Sequence, residues 1–334
     1  LTKYLNNVVF RQLAKYIAND HQTQIKSGKR MLNRGKGVDE PRFMDGPEYD
    51  AVAGEVSWNI KKSLWISLMY IGMLAAFAFY FTLQHFLVFV LSSALVLCFG
   101  HSLGMHRRLI HGSYDCPKWL EYLWVYMGSL VGLGGPFTMI YTHDIRDWAQ
   151  RKAHCHDYFA HRQGFFRDAW WQMHCEVALE RAPQFAIESH LKNDRFYQFI
   201  EKTWMWQQVP WAILLFMCGG WAWVLWGICT RVAVCVTGHW LIGYFAHRTG
   251  HRDWHVEGAG VQGYNIKFAG LITFGECWHN NHHAFPGSAK LGLKRGQLDP
   301  GWWVLCFFKR LGLVWNLRTP ETLADRKELS YLKN

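Results

Sequence analysis

The chain has 334 residues, of which 50% are hydrophobic and only 18% charged, against about 25% charged in an ordinary soluble domain. This composition excludes a disordered chain and a small disulfide-stapled domain. Lys and Arg outnumber Asp and Glu by 36 to 25, a net charge of +11, but no RNP, C2H2 or basic-zipper pattern accompanies that excess, so nucleic acid is not an expected partner.

Residues 1–61 read as an N-terminal cytosolic arm. It holds an amphipathic helix from Leu5 to Ile17 and a basic, Gly-containing loop over Lys26–Gly37, and residues 1–60 carry no signal-peptide apolar core. From Leu64 to Gly100 the chain is almost wholly apolar, well beyond the roughly 20 residues that one bilayer crossing needs. The polar pair Gln84-His85 predicts a hairpin of spans over 62–82 and 86–104. Residues 105–208 form a His-rich cytosolic region. Within it, 120–141 is apolar but holds Gly128, Gly132, Gly134, Gly135 and Pro136. A full crossing there would put the flanking His-rich segments on opposite sides, so a re-entrant or interfacial segment is expected. A second apolar run, Trp211–Phe245, has Thr230-Arg231 near its middle and predicts a second hairpin, 209–228 and 232–247. Residues 248–334 complete a C-terminal cytosolic region. The expected fold is all-α and integral to the membrane: four transmembrane helices in two hairpins, with a cytosolic helical domain that carries a His-rich di-metal site. The excess of Lys and Arg in the arm, against almost none in the two turns, puts the arm, the middle region and the C-terminus in the cytosol. Trp170, Trp171, Trp204, Trp206, Trp302 and Trp303 suit anchoring at the membrane interface. The nine cysteines are scattered with no CxxC and read as reduced thiols.

The 18 histidines cluster. His101, His106 and His111 close the second apolar span. In a continuous α-helix His106 and His111 would point well apart, so the helix must end or turn for both to meet one metal. In Glu276-Cys-Trp-His279-Asn-Asn-His282-His283, offsets of three and four place His279 beside both His282 and His283. Neutral imidazoles at this spacing suit a borderline metal. A looser group comprises His143, His154, His156 and His161. His247 ends the fourth span, and His239, just inside it, should face a partner or a cavity, because a polar group at membrane depth is costly. Asn280, Asn281, Asp144, Asp147, Asp157 and Glu276 are candidates to hydrogen-bond the second ring nitrogen of a ligand. A catalytic zinc takes three protein ligands plus water, so this many imidazoles fit two metals better. Two irons can together activate O2 and store the equivalents needed to break an unactivated C–H bond. Carboxylate di-iron bundles use two Glu-x-x-His pairs; Glu276 to His279 is one, and no second is found.

These clusters resemble the membrane fatty acid desaturase family, the acyl-CoA Δ9-desaturase type in particular, over roughly residues 64–305. The resemblance rests on an H-x4-H box (His106 to His111), an H-x2-H-H box (His279, His282, His283), two pairs of spans, and Trp240-Leu241 through Ala246-His247. The family's middle H-x2-H-H box falls on Lys152-Ala-His154-Cys155-His156, where only His156 keeps its histidine. The stretch resembles a bacterial branch, and His143, His154 or His161 are the candidates to fill the vacated places. The resemblance implies a di-iron metal set drawn from His106, His111, His143, His154, His156, His161, His247, His279, His282 and His283. It also implies O2 as co-substrate and a cis double bond introduced into a fatty acyl chain borne by CoA, carrier protein or phospholipid. No His-Pro-Gly-Gly cytochrome b5 signature is present, so a separate electron donor such as cytochrome b5 or ferredoxin is expected, along with membrane lipid. A hydroxylase or an oxidative decarboxylase with the same centre is the alternative. Transporters hold substrate near the bilayer midplane, whereas nearly all the histidines here lie outside the apolar runs. Trp119, Trp148, Trp240 and Trp278 either line an acyl tunnel or anchor at the interface.

Overall fold

The computed structural model describes residues 42–332; the helix expected over Leu5–Ile17 and the loop over Lys26–Gly37 lie outside the described residues. A short strand β1 (Gly54–Trp58) leads into α1 (Ile60–Phe79). Asn59 starts that helix by accepting a hydrogen bond from Lys62 N at 3.1 Å, so one of the free amides at the helix end is satisfied. The first reversal comes at Tyr80–Thr82, just before the expected Gln84-His85. Thr82 Oγ1 accepts from His85 N at 3.1 Å, so Gln84 and His85 belong to the first turn of α2 (Leu83–Leu95).

The α2 helix runs on as a π-helix over Val96–Ile110. Along it, α3 (Lys118–Ser129) packs antiparallel. Gly100 and Gly104 make this possible: a Cβ on Gly104 would stand 2.5 Å from the Trp124 carbonyl, and one on Gly100 would stand 2.4 Å from Met127 C. The chain turns through 130–135 and returns as α4 (Pro136–Gln150). The apolar stretch 120–141 is thus a helix–turn–helix that brings both of its ends back to the histidines. Its turn is tied to the long apolar helices, since Trp65 Nε1 donates to Gly132 O at 3.0 Å and Gln208 Nε2 to Leu130 O at 3.0 Å.

Next come α5 (Phe165–His174), strand β2 (Cys175–Leu179) and α6 (Arg195–Thr203). β2 pairs antiparallel with β1, Gly54 opposite Leu179 and Trp58 opposite Cys175. The second apolar run departs from expectation. Helix continues through Thr230-Arg231, where a turn was expected: the last part of α7 (Gln208–Val224), a π segment over Leu225–Thr230, and α8 (Arg231–Ala246) adjoin one another. The chain reverses instead at Gly219–Gly220, where Gly220 has φ 64°, a conformation that glycine adopts without steric cost. The reversal is evident from the contact of Arg231 Nη2 with Gln208 Oε1, residues that a straight helix would hold roughly 35 Å apart. Arg231 also donates to Gly227 O and Leu130 O. It is 3% exposed, with its guanidinium spent on buried acceptors rather than on solvent at a turn. Three helical stretches, Ile60–Phe79, Leu83–Ile110 and Gln208–Ala246, are long and apolar enough to cross a membrane, and the third of them is folded on itself at Gly219–Gly220. The chain closes with a small antiparallel pair, β3 (Trp254–Val256) with β4 (Leu329–Tyr331), and with helices α9 (His279–Ala284) and α10 (Pro300–Arg310).

Candidate metal centre

The end of the π-helix builds the first half of the centre. Hydrogen bonding from residue i to i+5 brings residues five apart round to one side, and His111 N donates to His106 O at 3.1 Å in that register. His101, His106 and His111 therefore form one stripe. The expectation that the helix must break between His106 and His111 is corrected: the helix changes its winding. His143 comes in from α4 and His282 from α9. The ligating atoms of His106, His111, His143 and His282 lie within 4.8 Å of one another. Their rings sit 4.6 Å apart for His106–His282 and 4.8 Å for His111–His143.

One helical turn of α9 carries the second half. His279 and His283 are four apart and project together, and His247 follows the last residue of α8. His279 Nε2 is 3.0 Å from both His247 Nε2 and His283 Nε2, and these three donors form a second group within 4.8 Å. The two clusters are neighbours, with the His279 and His282 rings 5.7 Å apart.

The backs of three of the rings are held. Glu276 Oε2 stands 2.6 Å from His106 Nδ1, while its Oε1 accepts from Ser102 Oγ at 2.6 Å. Asp144 Oδ1 stands 3.0 Å from His143 Nδ1, and Gly243 O stands 2.7 Å from His247 Nδ1. Each contact directs the opposite nitrogen toward the cluster. Arg42 braces the first cluster from outside, bonding Asp144 Oδ2 and the carbonyls of Leu109 and Ile110; nothing in its sequence context marked it. Of the expected second-nitrogen partners, Glu276 and Asp144 take that role. Asn280 and Asn281 do not. Asn280 Oδ1 accepts from Asp253 N and Trp254 N, and Asn281 Nδ2 donates to Leu291 O and Gln297 Oε1, so both brace the loops around α9. Asp157 accepts from Gln163 Nε2, and Asp147 pairs with Arg151.

The electrostatics keep five of the seven rings in ligand form. Burial, and then the neighbouring imidazoles, push His111, His247, His279 and His282 well below the usual histidine value. Burial brings His283 to about 4. His143 is raised: burial pulls it down, but the Asp144 hydrogen bond and the field of Asp147 outweigh that. Burial would raise Glu276, yet His106 and Arg107 hold its carboxyl far below the carboxylate range. Neutral imidazoles backed by ionised carboxylates are what a divalent transition metal binds. The buried ring atoms His111 Nε2 and His282 Nδ1 have no hydrogen-bond partner among the described residues. The donor set therefore fits metal.

The middle histidines separate. His143 joins the first cluster. His161 stacks on His247, ring centroids 5.4 Å apart at 10°, but its Nδ1 is 2.9 Å from Asp168 Oδ2 and its Nε2 touches Arg146 Nη1. His156 accepts from Tyr158 N with its Nδ1 and caps the short helix 157–160. His154 is exposed. Neither His154 nor His156 belongs to either cluster. His239 has the partner it needed, His101, at 5.0 Å between rings. Among the four tryptophans near the ligands in sequence, Trp119 is 57% exposed, while Trp148, Trp240 and Trp278 are buried. Trp240 Nε1 donates to Asp168 Oδ2 at 2.8 Å. A surface cavity of about 260 Å³, with Arg162 and Arg248 on its walls, opens onto His247.

No protein-family model matches the chain. Curated relatives do. The sn-1 stearoyl-lipid 9-desaturase of Anabaena variabilis is 32% identical, over 79% of this chain and 96% of the relative. The icosanoyl-CoA 5-desaturase of Limnanthes douglasii is 33% identical over 79% of this chain and 74% of its own. The sn-2 palmitoyl-lipid 9-desaturase of Nostoc sp. (strain 36) is 29% identical over 80% and 94%. With paired histidine clusters at the ends of long apolar helices and this likeness along most of its length, the chain belongs to the acyl-lipid and acyl-CoA desaturases, a family of oxidoreductases that act on fatty acyl chains.

Proposed function

We propose that each histidine cluster holds one iron ion and that the protein introduces a cis double bond into a fatty acyl chain borne by CoA, carrier protein or phospholipid. The reaction consumes one O2, two electrons and two protons, removes one hydrogen from each of two adjacent carbons, and releases two waters. The electrons come from a separate donor such as cytochrome b5 or ferredoxin, which the net positive charge would attract. The observation that carries this reading is the convergence of four and three imidazoles into two adjacent groups at one end of the apolar helices. Iron bound there would supply the capacity to activate O2 for attack on an unactivated C–H bond.

The protein's own groups set the conditions. Glu276, Asp144 and the Gly243 carbonyl fix ring orientation, so the donors are preorganised. Burial keeps His111, His247, His279, His282 and His283 unprotonated. The C-terminal end of the π-helix and the C-terminal end of α8 meet at the clusters. In the proposed topology the chain crosses the membrane more than once, the segment 120–141 is re-entrant, and the clusters lie at the cytosolic surface.

The test is expression in a host lacking unsaturated fatty acids, followed by mass spectrometry of the lipids. New monoenes are expected, and their loss with His282→Ala ties them to the centre. Hydroxy acids or terminal alkenes in place of monoenes would overturn desaturation in favour of a hydroxylase or a decarboxylase.

A further inference from the structure

We infer that the loop 266–275 and the helix α10 dip into the cytosolic leaflet and form a docking platform for anionic phospholipid, within a region that the sequence assigns to the cytosol. This rests on the membrane reading of the long helices and not on the metal reading.

The loop is tied to the ends of two of those helices. At its root, Tyr264 N donates to Ala246 O at 2.7 Å, and Ala246 is the last residue of the third long apolar stretch. Lys267 and Phe245 line one cavity of about 500 Å³ there. At its far end, Phe274 O accepts from Arg107 Nη2 at 3.0 Å, in the last turn of the second stretch, Leu83–Ile110. Between these ties the loop turns apolar side chains outward: Phe268 is 99% exposed, Ile272 73% and Leu271 54%. Phe268 also has φ 70°, a left-handed conformation that is costly for a bulky residue. At that exposure no contact within the protein offsets the cost, whereas contact with lipid would.

The helix α10 continues the surface. Gly301 N donates to Phe274 O at 3.3 Å, and a Cβ on Gly270 would stand 2.5 Å from Leu298 O, so the loop lies against the start of the helix. One side of α10 is buried on the second long stretch and on α3: Leu305 is fully buried, and the Phe308 ring lies 6.3 Å from that of Phe99 and 5.2 Å from that of Trp124. The outward side of a helix facing water is polar. Here it carries Trp303, Phe307 and Leu311, each more than half exposed and four residues apart. α10 has 11 residues, about 16 Å of helix, which is too short to cross a hydrocarbon core of about 30 Å and suits one lying in the interface. Charge selects the partner. Neither 266–275 nor 300–318 contains Asp or Glu, whereas Lys267, Lys309 and Arg310 are exposed. An apolar face bordered by cations alone, and continuous with helices that meet lipid, fits anionic headgroups.

The experiment attaches a nitroxide at Phe268→Cys, Ile272→Cys or Phe307→Cys in a Cys218→Ser background, whose own labelling is the blank. The full chain is reconstituted in bilayers of phosphatidylcholine with or without phosphatidylglycerol. Electron paramagnetic resonance then compares collisions with O2, which concentrates in lipid, against those with a water-soluble nickel chelate. Ile71→Cys on α1 is the bilayer reference and Arg162→Cys the aqueous one. All three positions are expected to favour O2, as Ile71→Cys does. Adding phosphatidylglycerol should slow the label at Phe307→Cys, and combining Lys267→Gln, Lys309→Gln and Arg310→Gln should abolish that response. The three positions lie on two elements, so a variant that fails to fold leaves the others to decide. Nickel access at the loop or at α10, with Ile71→Cys still favouring O2, would overturn the proposal. Protection from both reagents would overturn it too, because a second copy or another protein then covers the face. A phosphatidylglycerol response that survives neutralisation of the three cations would overturn their role. Nickel access at Ile71→Cys as well would overturn the membrane reading itself.

Discussion

Glu276 ties the segment before α9 to the π-helix through one carboxylate, which touches His106, Ser102 and, at 3.5 Å, Arg107 Nε. Because it takes the Nδ1 side of His106, it both fixes the tautomer and makes the ring a better donor. Glu276→Gln is expected to weaken metal retention at the first cluster by roughly 10- to 100-fold, measured by chelator competition, while leaving the helical circular dichroism unchanged. The buried imidazoles also set a pH dependence. The folded values of His111, His247, His279, His282 and His283 lie below the ordinary 6.5, with His283 near 4, so the unfolded chain binds more protons at these groups in that interval and their contribution to stability rises with pH. The melting temperature of the metal-free protein should therefore fall as pH is lowered from about 6.5 toward 4, and metal should be released over the same window. A melting temperature that stays flat there would contradict the burial of these rings. Spacing pointed to His106, His111, His279, His282 and His283, while His143 stood among several middle-region alternatives and His247 was singled out by resemblance. The roles of Arg42 and of the Arg146–His161–Asp168 chain were not legible, because each depends on a partner far off in sequence.

The π-helix is the element on which the site depends. Its i to i+5 period turns an H-x4-H spacing that would diverge on an α-helix into a single stripe. The spacing was visible in the sequence; the winding that gives it meaning was not, because it depends on α3 packed alongside. Gly104 is where that packing is tightest. Gly104→Ala is expected to cost ~1–3 kcal/mol, since the added methyl meets backbone rather than a yielding side chain, and the loss would be read as a lower melting temperature in detergent. Gly220 differs in that a Cβ would have open space around it, so only its φ of 64° is at stake. Gly220→Ala should cost about 1 kcal/mol, and an unchanged melting temperature would argue against a reversal at that point.

At the scale of the whole molecule, the three long helices turn apolar faces outward, with Phe79 and Met217 each 78% exposed and Leu83 73%. Exposure on this scale is covered by lipid in a stable protein. The protein is expected to remain in the membrane through salt and alkaline washes and to leave it only in detergent. Cys218, the exposed member of the nine cysteines, sits beside the Gly219–Gly220 reversal, at the far end from the histidines. An impermeant thiol reagent should label it in intact cells, whereas Arg162→Cys, tested in a Cys218→Ser background, should react only after lysis. Labelling of both from one side would contradict the proposed topology.

Composition and spacing by themselves determined that the chain is helical and apolar enough to associate with a membrane, and that its histidines act in groups, because hydrophobic runs and i, i+4 offsets are local properties. Tertiary structure decided where those runs bend. Gly219-Gly220 rather than Thr230-Arg231 makes the second reversal, since Arg231 finds buried acceptors on Leu130 and Gln208 that only folding supplies. It also decided how the histidines divide. His282 and His283 are adjacent in the chain yet serve different clusters, and His154 and His156 serve neither. That division is set by which side of α9 meets the π-helix and which meets the end of α8, and packing between segments far apart in the chain, not the local pattern, fixes it.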